Sequence, residues 1–302
     1  MTLPEIPLLF SCSGQKLTTC AGERLFGIVS PTAAPADVGV LVVVGGPQYR
    51  VGSHRQFTLL ARALAAAGIP AFRFDHRGMG DSDGDMRSFD TIDDDIERAV
   101  DAFMKAVPSL RGVVIWGLCD AASAAMMYAH RDPRVRGLVL LNPWVRDTQS
   151  QAVTQIKHYY ARRLVDGAFW RKLLRGEVQL LNSVTGLMRT SRSAIATTKP
   201  AAATNASFQD RMLAGWRAFA GPSLLVLSGN DLTAREFVEY AQARAPWQKA
   251  LANPRIRRED FAEADHTFST RAWRDRVAAL TIDWIRSTVT TDKASAQPAA
   301  AH

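Results

Sequence analysis

Residues 112–122 read GVVIWGLCDAA. An apolar run enters Gly-x-Cys-x-Ala and continues into an alanine-rich stretch that ends near His130. This pattern is a buried strand turning abruptly into a helix. A turn that tight strains the backbone at its central residue, and small residues two before and two after it let the neighbouring chain approach. Gly117 and Ala121 meet that need and put Cys119 at the centre, where a nucleophile would stand. The helix N-terminus behind it would stabilise a thiolate. A buried structural cysteine fits the same stretch, because free cysteine often behaves as a small core residue.

Working outward, comparable apolar runs recur at 38–46 (VGVLVVVGG), 69–75 (IPAFRFD), 135–142 (VRGLVLLN) and 222–229 (PSLLVLSG). They are short, rich in valine, leucine and isoleucine, and bounded by glycine or proline, as strands covered by helices on both faces are. Helical periodicity fills the gaps. Ser53 and Gln56 have capping-box spacing ahead of Phe57, Leu60, Ala61 and Leu64, with Gly68 as the stop. Ile92, Ile96, Val100, Phe103 and Val107 form a second apolar face, and Trp273, Val277, Leu280 and Trp284 a third. The alternation predicts an α/β fold: a mostly parallel, doubly wound sheet with right-handed crossovers. Residues 6–29 read as two or three short strands forming an antiparallel N-terminal edge.

The chain has 302 residues, 47% of them apolar and 22% charged, so bulk disorder is excluded. The three cysteines, Cys12, Cys20 and Cys119, cannot pair off and have no metal-site spacing, so neither a disulfide framework nor a zinc site is expected. No basic leader precedes the short apolar start, and no apolar run approaches the ~20 residues of a membrane span. The expected compartment is a reducing cytoplasm. One region breaks the strand–helix rhythm. About 80 residues separate Asn142 from Ser223, too many for one connection. The reading is a core of 1–143 and 208–290, an inserted helical cap of 144–207 ending in the low-complexity hinge SRSAIATTKPAAATNAS, and a frayed tail of 291–302.

A nucleophile needs a base and an acid. Asn230 and Asp231 follow the run that ends at Gly229, and Ala264-Asp265-His266 follows a weakly strand-like segment, 257–262. Nucleophile, acid, histidine is a recognised chain order for a catalytic triad. Asp231 would also serve as an ordinary turn aspartate, and His266 as a polar residue ahead of the last helix. Asp265 is the rival acid, although adjacent loop residues seldom face one another. An oxyanion hole needs one backbone N–H from the residue after the nucleophile, Asp120, and one from the loop Gly45-Gly46-Pro47-Gln48. Pro47 has no N–H. The second donor is therefore assigned to Gln48, with Gly46 as the fallback.

These parts together resemble the α/β-hydrolase superfamily. FDHRGMGDS (74–82) is similar to that superfamily's bracing loop, so Asp75 and His76 are read as structural. GGPQYRVGSHRQF (45–57), FDHRGMGDS and WGLCDAASA (116–124) resemble more specifically the type 1 group of exosortase A system-associated hydrolases. That resemblance implies a bacterial setting of exopolysaccharide synthesis and envelope protein sorting. The chain departs from the wider superfamily in carrying cysteine where serine is usual.

The expected chemistry is hydrolysis of an ester or thioester by Cys119, His266 and Asp231 through an acyl-cysteine intermediate. The alternative is acyl transfer to a sugar or lipid from the same site. A third reading retains the fold as a binding module without catalysis. Neither metal nor organic cofactor is required. Residues 144–200 hold ten lysines and arginines against three acids, nearly the whole chain's net charge of +8. This stretch would receive an anionic, carrier-linked acyl substrate or an anionic membrane surface, or it is simply a solvated face. Trp144, Tyr159, Phe169 and Trp170 would line an acyl pocket. No module for nucleic acid is visible.

Overall fold

The computed structural model describes residues 3–11, 22–46, 48–146 and 206–289. The chain divides into two compact units, Met1–Val145 with Ser207–His302, and Arg146–Ala206. All but the two end residues of the second unit lie outside the described residues, as do Cys12, Cys20 and the expected tail.

The first unit is an eight-stranded sheet. Its strands are β1 (Ile6–Ser11), β2 (Arg24–Ser30), β3 (Val38–Val43), β4 (Ala71–Asp75), β5 (Gly112–Leu118), β6 (Val135–Leu141), β7 (Ser223–Ser228) and β8 (Ile256–Phe261). The spatial order is β1-β2-β4-β3-β5-β6-β7-β8. β1 pairs antiparallel with β2, and β2 with β4, while β3 through β8 are parallel to one another. The helices are α1 (Gln56–Ala66), α2 (Asp93–Ala106), α3 (Asp120–Tyr128), α4 (Phe208–Ala218), α5 (Leu232–Gln242), α6 (Ala245–Leu251) and α7 (Arg271–Trp284). Among the described residues no helix is long and apolar enough to cross a membrane.

The strands are apolar on both faces because helices cover both. Along β3, Leu41 and Val43 face the layer formed by α2, α3 and α4–α6, while Val40 and Val42 face α1 and α7. The two alternating sets form two separate cores, as side chains of period two require. The predicted strand at 257–262 is present one residue earlier.

One local expectation fails. Ser53 does not cap α1: its N–H and hydroxyl both reach the side-chain oxygen of Gln48, at 3.1 and 3.4 Å. A single 3-10 turn, Ser53–Arg55, leads into the helix, and His54 and Arg55 both take positive φ, 53° and 59°. Contacts with Gln48 outcompete the cap that spacing alone predicts.

Candidate active site

The parallel strands end along one edge, and the chemistry-bearing residues stand just beyond those ends. Cys119 is the single residue between β5 and α3, with φ 64° and ψ −126°. Such a backbone is costly for a non-glycine residue and persists where its surroundings enforce it. Gly117 makes the turn possible. A Cβ there would come within 2.7 Å of the Ala121 carbonyl atoms and 2.8 Å of the Ala122 nitrogen. Cys119 is half-buried and not disulfide-bonded.

Asp231 follows β7 and is the N-cap of α5, accepting the N–H groups of Thr233 and Ala234, both at 3.1 Å. Those bonds fix its carboxylate, and Oδ2 then lies 2.9 Å from Nδ1 of His266. The Cys119 side chain stands near enough to the same ring to favour its charged form. The structure therefore brings Cys119, His266 and Asp231 together. Burial acts against the charged imidazole, but the hydrogen bonds and charges of Asp231 and Cys119 outweigh it and raise His266 from 6.5 to about 10. An imidazolium stabilised from both sides is what a thiolate–imidazolium pair needs. The rival acid points elsewhere. Asp265 accepts the Ser269 N–H at 3.0 Å and bonds to its hydroxyl, closing the turn after the histidine.

Of the expected oxyanion donors, the Asp120 N–H stands at the first residue of α3, directly after Cys119. Gln48 is half-buried, with its side-chain oxygen committed to Ser53. Gly46 is excluded as the fallback. Its N–H is held by the Asp120 carboxylate, at 2.7 Å to Oδ1 and 3.0 Å to Oδ2. Asp120 begins a helix whose first turn lies beside the β3 loop, so its short side chain reaches that amide before any substrate could.

Among the aromatic residues expected to line a pocket, Trp144 is half-buried beside the elbow. Its N–H reaches the Ser123 hydroxyl at 2.9 Å, that hydroxyl donates to the Trp144 carbonyl at 2.7 Å, and the same N–H lies 3.3 Å from the Cys119 carbonyl. Tyr159, Phe169 and Trp170 lie outside the described residues, as does the basic stretch beyond Arg146.

Two residues that sequence reasoning missed hold the histidine loop. Asn142, fully buried just past β6, donates to the His266 carbonyl at 3.2 Å and to the Ser228 hydroxyl at 3.0 Å. Ser228 in turn donates to the Asp265 carbonyl at 2.9 Å. The only available signal was a buried-type run ending in asparagine. Below the site, Asp75 is fully buried and accepts the Arg50 N–H at 2.6 Å and the Asp81 N–H at 3.1 Å, while Asp95 accepts the Arg77 Nε at 2.6 Å. These pairs brace the loop after β4.

Sheet order, elbow and the sequence Cys119…Asp231…His266 define an α/β-hydrolase fold. The family model described as serine aminopeptidase, S33 (Hydrolase_4), matches residues 38–233. That span is well over half of the chain, and the chain belongs to this family of hydrolases. Among solved structures, the esterase Pf2001 of Pyrococcus furiosus superposes with a TM-score of 0.63 at 13% identity, covering 95% of this chain and 93% of the esterase. The α/β hydrolase GrgF from Penicillium sp. sh18 gives 0.62 at 16%, covering 95% and 100%. A curated relative, acyltransferase drtE of Aspergillus calidoustus, is 27% identical over 132 residues. The match takes in 40% of this chain and 42% of that relative's length.

Proposed function

We propose that the protein is a cysteine-dependent hydrolase of esters or thioesters, with Cys119 as nucleophile, His266 as base and then acid, and Asp231 as the residue orienting the imidazole. One observation carries this reading: a histidine joined at Nδ1 to a buried, helix-capping carboxylate stands beside a cysteine held at positive φ on a strand-to-helix elbow.

Cys119 Sγ attacks the acyl carbon, its proton having passed to His266. The carbonyl π electrons move onto oxygen, and the backbone N–H groups of Asp120 and Gln48 receive that oxyanion. Collapse breaks the bond to the leaving alcohol or thiol, which takes the proton from His266, and leaves an acyl-cysteine thioester. Water, deprotonated by His266, then releases the acid and restores the thiol. Esters and thioesters suit this site better than peptides, because an alcohol or thiol leaves with less help from an acid than an amine needs. A catalytic thiol also favours a reducing cytoplasm. The similarity of residues 45–57, 74–82 and 116–124 to the exosortase-associated hydrolases supports a substrate from bacterial exopolysaccharide or envelope biosynthesis, with an acyl group delivered on an anionic carrier.

The second reading is acyl transfer to a hydroxyl or amine. The local match to an acyltransferase favours it, and so does the nucleophile, since thioesters are open to attack by acceptors other than water.

The test is intact-mass detection of an acyl adduct after incubation with a panel of aryl esters and acyl thioesters. The wild-type chain should gain one acyl mass and turn over. Cys119→Ala should show neither. Undiminished turnover in Cys119→Ala would end this reading.

A further inference from the structure

The Asp120 carboxyl group is left over by the mechanism above, which uses only that residue's backbone N–H. It is not solvated like an ordinary surface acid. Both of its oxygens engage the Gly46 N–H, 74 positions earlier in the chain. The loop is shaped to receive it. At Gly45 a Cβ would come within 2.1 Å of Oδ1, 2.7 Å of the Leu118 carbonyl oxygen and 2.8 Å of the Ala121 nitrogen. Only glycine admits the carboxyl group there. Gly46 follows with φ 62° and carries the chain towards Gln48.

The geometry points to Asp120 as a positioning residue that straps the β3–α1 loop to the nucleophile elbow, so that the backbone N–H of Gln48 converges with that of Asp120 on one oxyanion. This rests on the acyl-cysteine reading and deepens it. The two donors lie on segments far apart in sequence. A hydrogen bond from the N–H of Gly46, two residues before Gln48, to the carboxyl of Asp120, beside the nucleophile, joins them by a short route. Asp120 thus acts twice: its backbone as donor, its side chain through Gly46.

What the strap needs from Asp120 is an acceptor for the Gly46 N–H. Burial pushes the Asp120 carboxyl up, against the pull of the Gly46, Ala121 and Asp120 amides and of the His76 ring, just past β4. A full negative charge would also oppose the oxyanion forming nearby. An amide oxygen in the same place would accept the Gly46 N–H equally well.

The experiment compares Asp120→Ala and Asp120→Asn with wild type in two assays. One is acyl turnover. The other is alkylation of Cys119 by iodoacetamide at alkaline pH, a displacement at a saturated carbon that forms no oxyanion. Asp120→Ala should lower kcat by about 30-fold or more with KM within about 3-fold, while its alkylation rate stays within about 3-fold of wild type. Asp120→Asn should recover turnover to within about 5-fold. Faster turnover in Asp120→Ala would overturn the inference, because the carboxyl would then be obstructing the hole. An equal loss in both assays would overturn it too, since the elbow itself would have collapsed. So would an Asn variant as slow as the Ala variant. A wild-type chain that alkylates but never acylates sinks the acyl-cysteine reading itself. One that acylates, with Asp120→Ala unimpaired, sinks the strap alone.

Discussion

Between β5 and α3 the chain turns in one residue, Cys119; between β3 and α1 it takes residues 44–55. Both connections meet beside Cys119, yet they are determined differently. In the short one the steric constraint is local: Gly117 lies against the Ala121 and Ala122 backbone, and the turn follows from which residues are small. In the long one, bonds within the loop are joined by remote partners. Gly46 is held by Asp120, and Arg50 by Asp75 through its N–H at 2.6 Å. A short turn is specified by its own side chains, and a long loop by whatever it lands on.

The strongest way to break this comparison is to place one methyl group in each connection. Gly117→Ala drives a Cβ into backbone that cannot move without separating β5 from α3. Denaturant unfolding should show a loss of about 3 kcal/mol or more, with activity gone. Gly46→Ala meets nothing within 4 Å and pays only for φ 62°, so about 1–2 kcal/mol is expected. Equal losses would mean that the elbow is no more tightly determined than the loop.

Next in size is Asp231→Asn. Asparagine caps a helix as well as aspartate does, so α5 keeps its N-terminus while the imidazole loses its anionic partner. Turnover should fall on the order of 10²–10⁴-fold. The pH signature has a definite sign. His266 titrates near 10 when folded, above its ordinary 6.5. The stability it contributes is therefore full below pH 6.5 and is lost as pH rises through about 10. Melting temperatures of wild type and Asp231→Asn should differ most near pH 6 and converge above pH 10. A constant gap would place the stabilisation elsewhere.

The same contrast explains what was legible in the sequence. Val40–Val43, Val113–Leu118 and Leu138–Leu141 announce buried strands because helices cover both faces, and the elbow announces itself by residue size. The acid and histidine followed from strand ends. What was hidden depends on tertiary neighbours. Gly46 looks as free as any loop amide until Asp120 is seen against it. The Ser53–Gln56 spacing predicts a cap until the Gln48 side chain takes the Ser53 donors. Asn142 reaches the His266 carbonyl across 124 positions, a separation at which no spacing rule applies.

The smallest effect sharpens the comparison most. His54 and Arg55 are exposed, and both sit at positive φ, where a Cβ is unfavourable. Replacing Arg55 with glycine removes about 1–2 kcal/mol of local strain. It also adds back roughly 0.5–1 kcal/mol of freedom to the unfolded chain. The net is a gain of about 0.5 kcal/mol, or roughly 1–2 °C in Tm for a domain of this size. Calorimetry on Arg55→Gly and His54→Gly checks it. If the loop holds these residues left-handed through its distant partners, both variants should melt slightly higher than wild type. Lower melting would mean that the two side chains themselves help to hold the loop, and the distinction between locally and remotely determined connections would then fail at this turn.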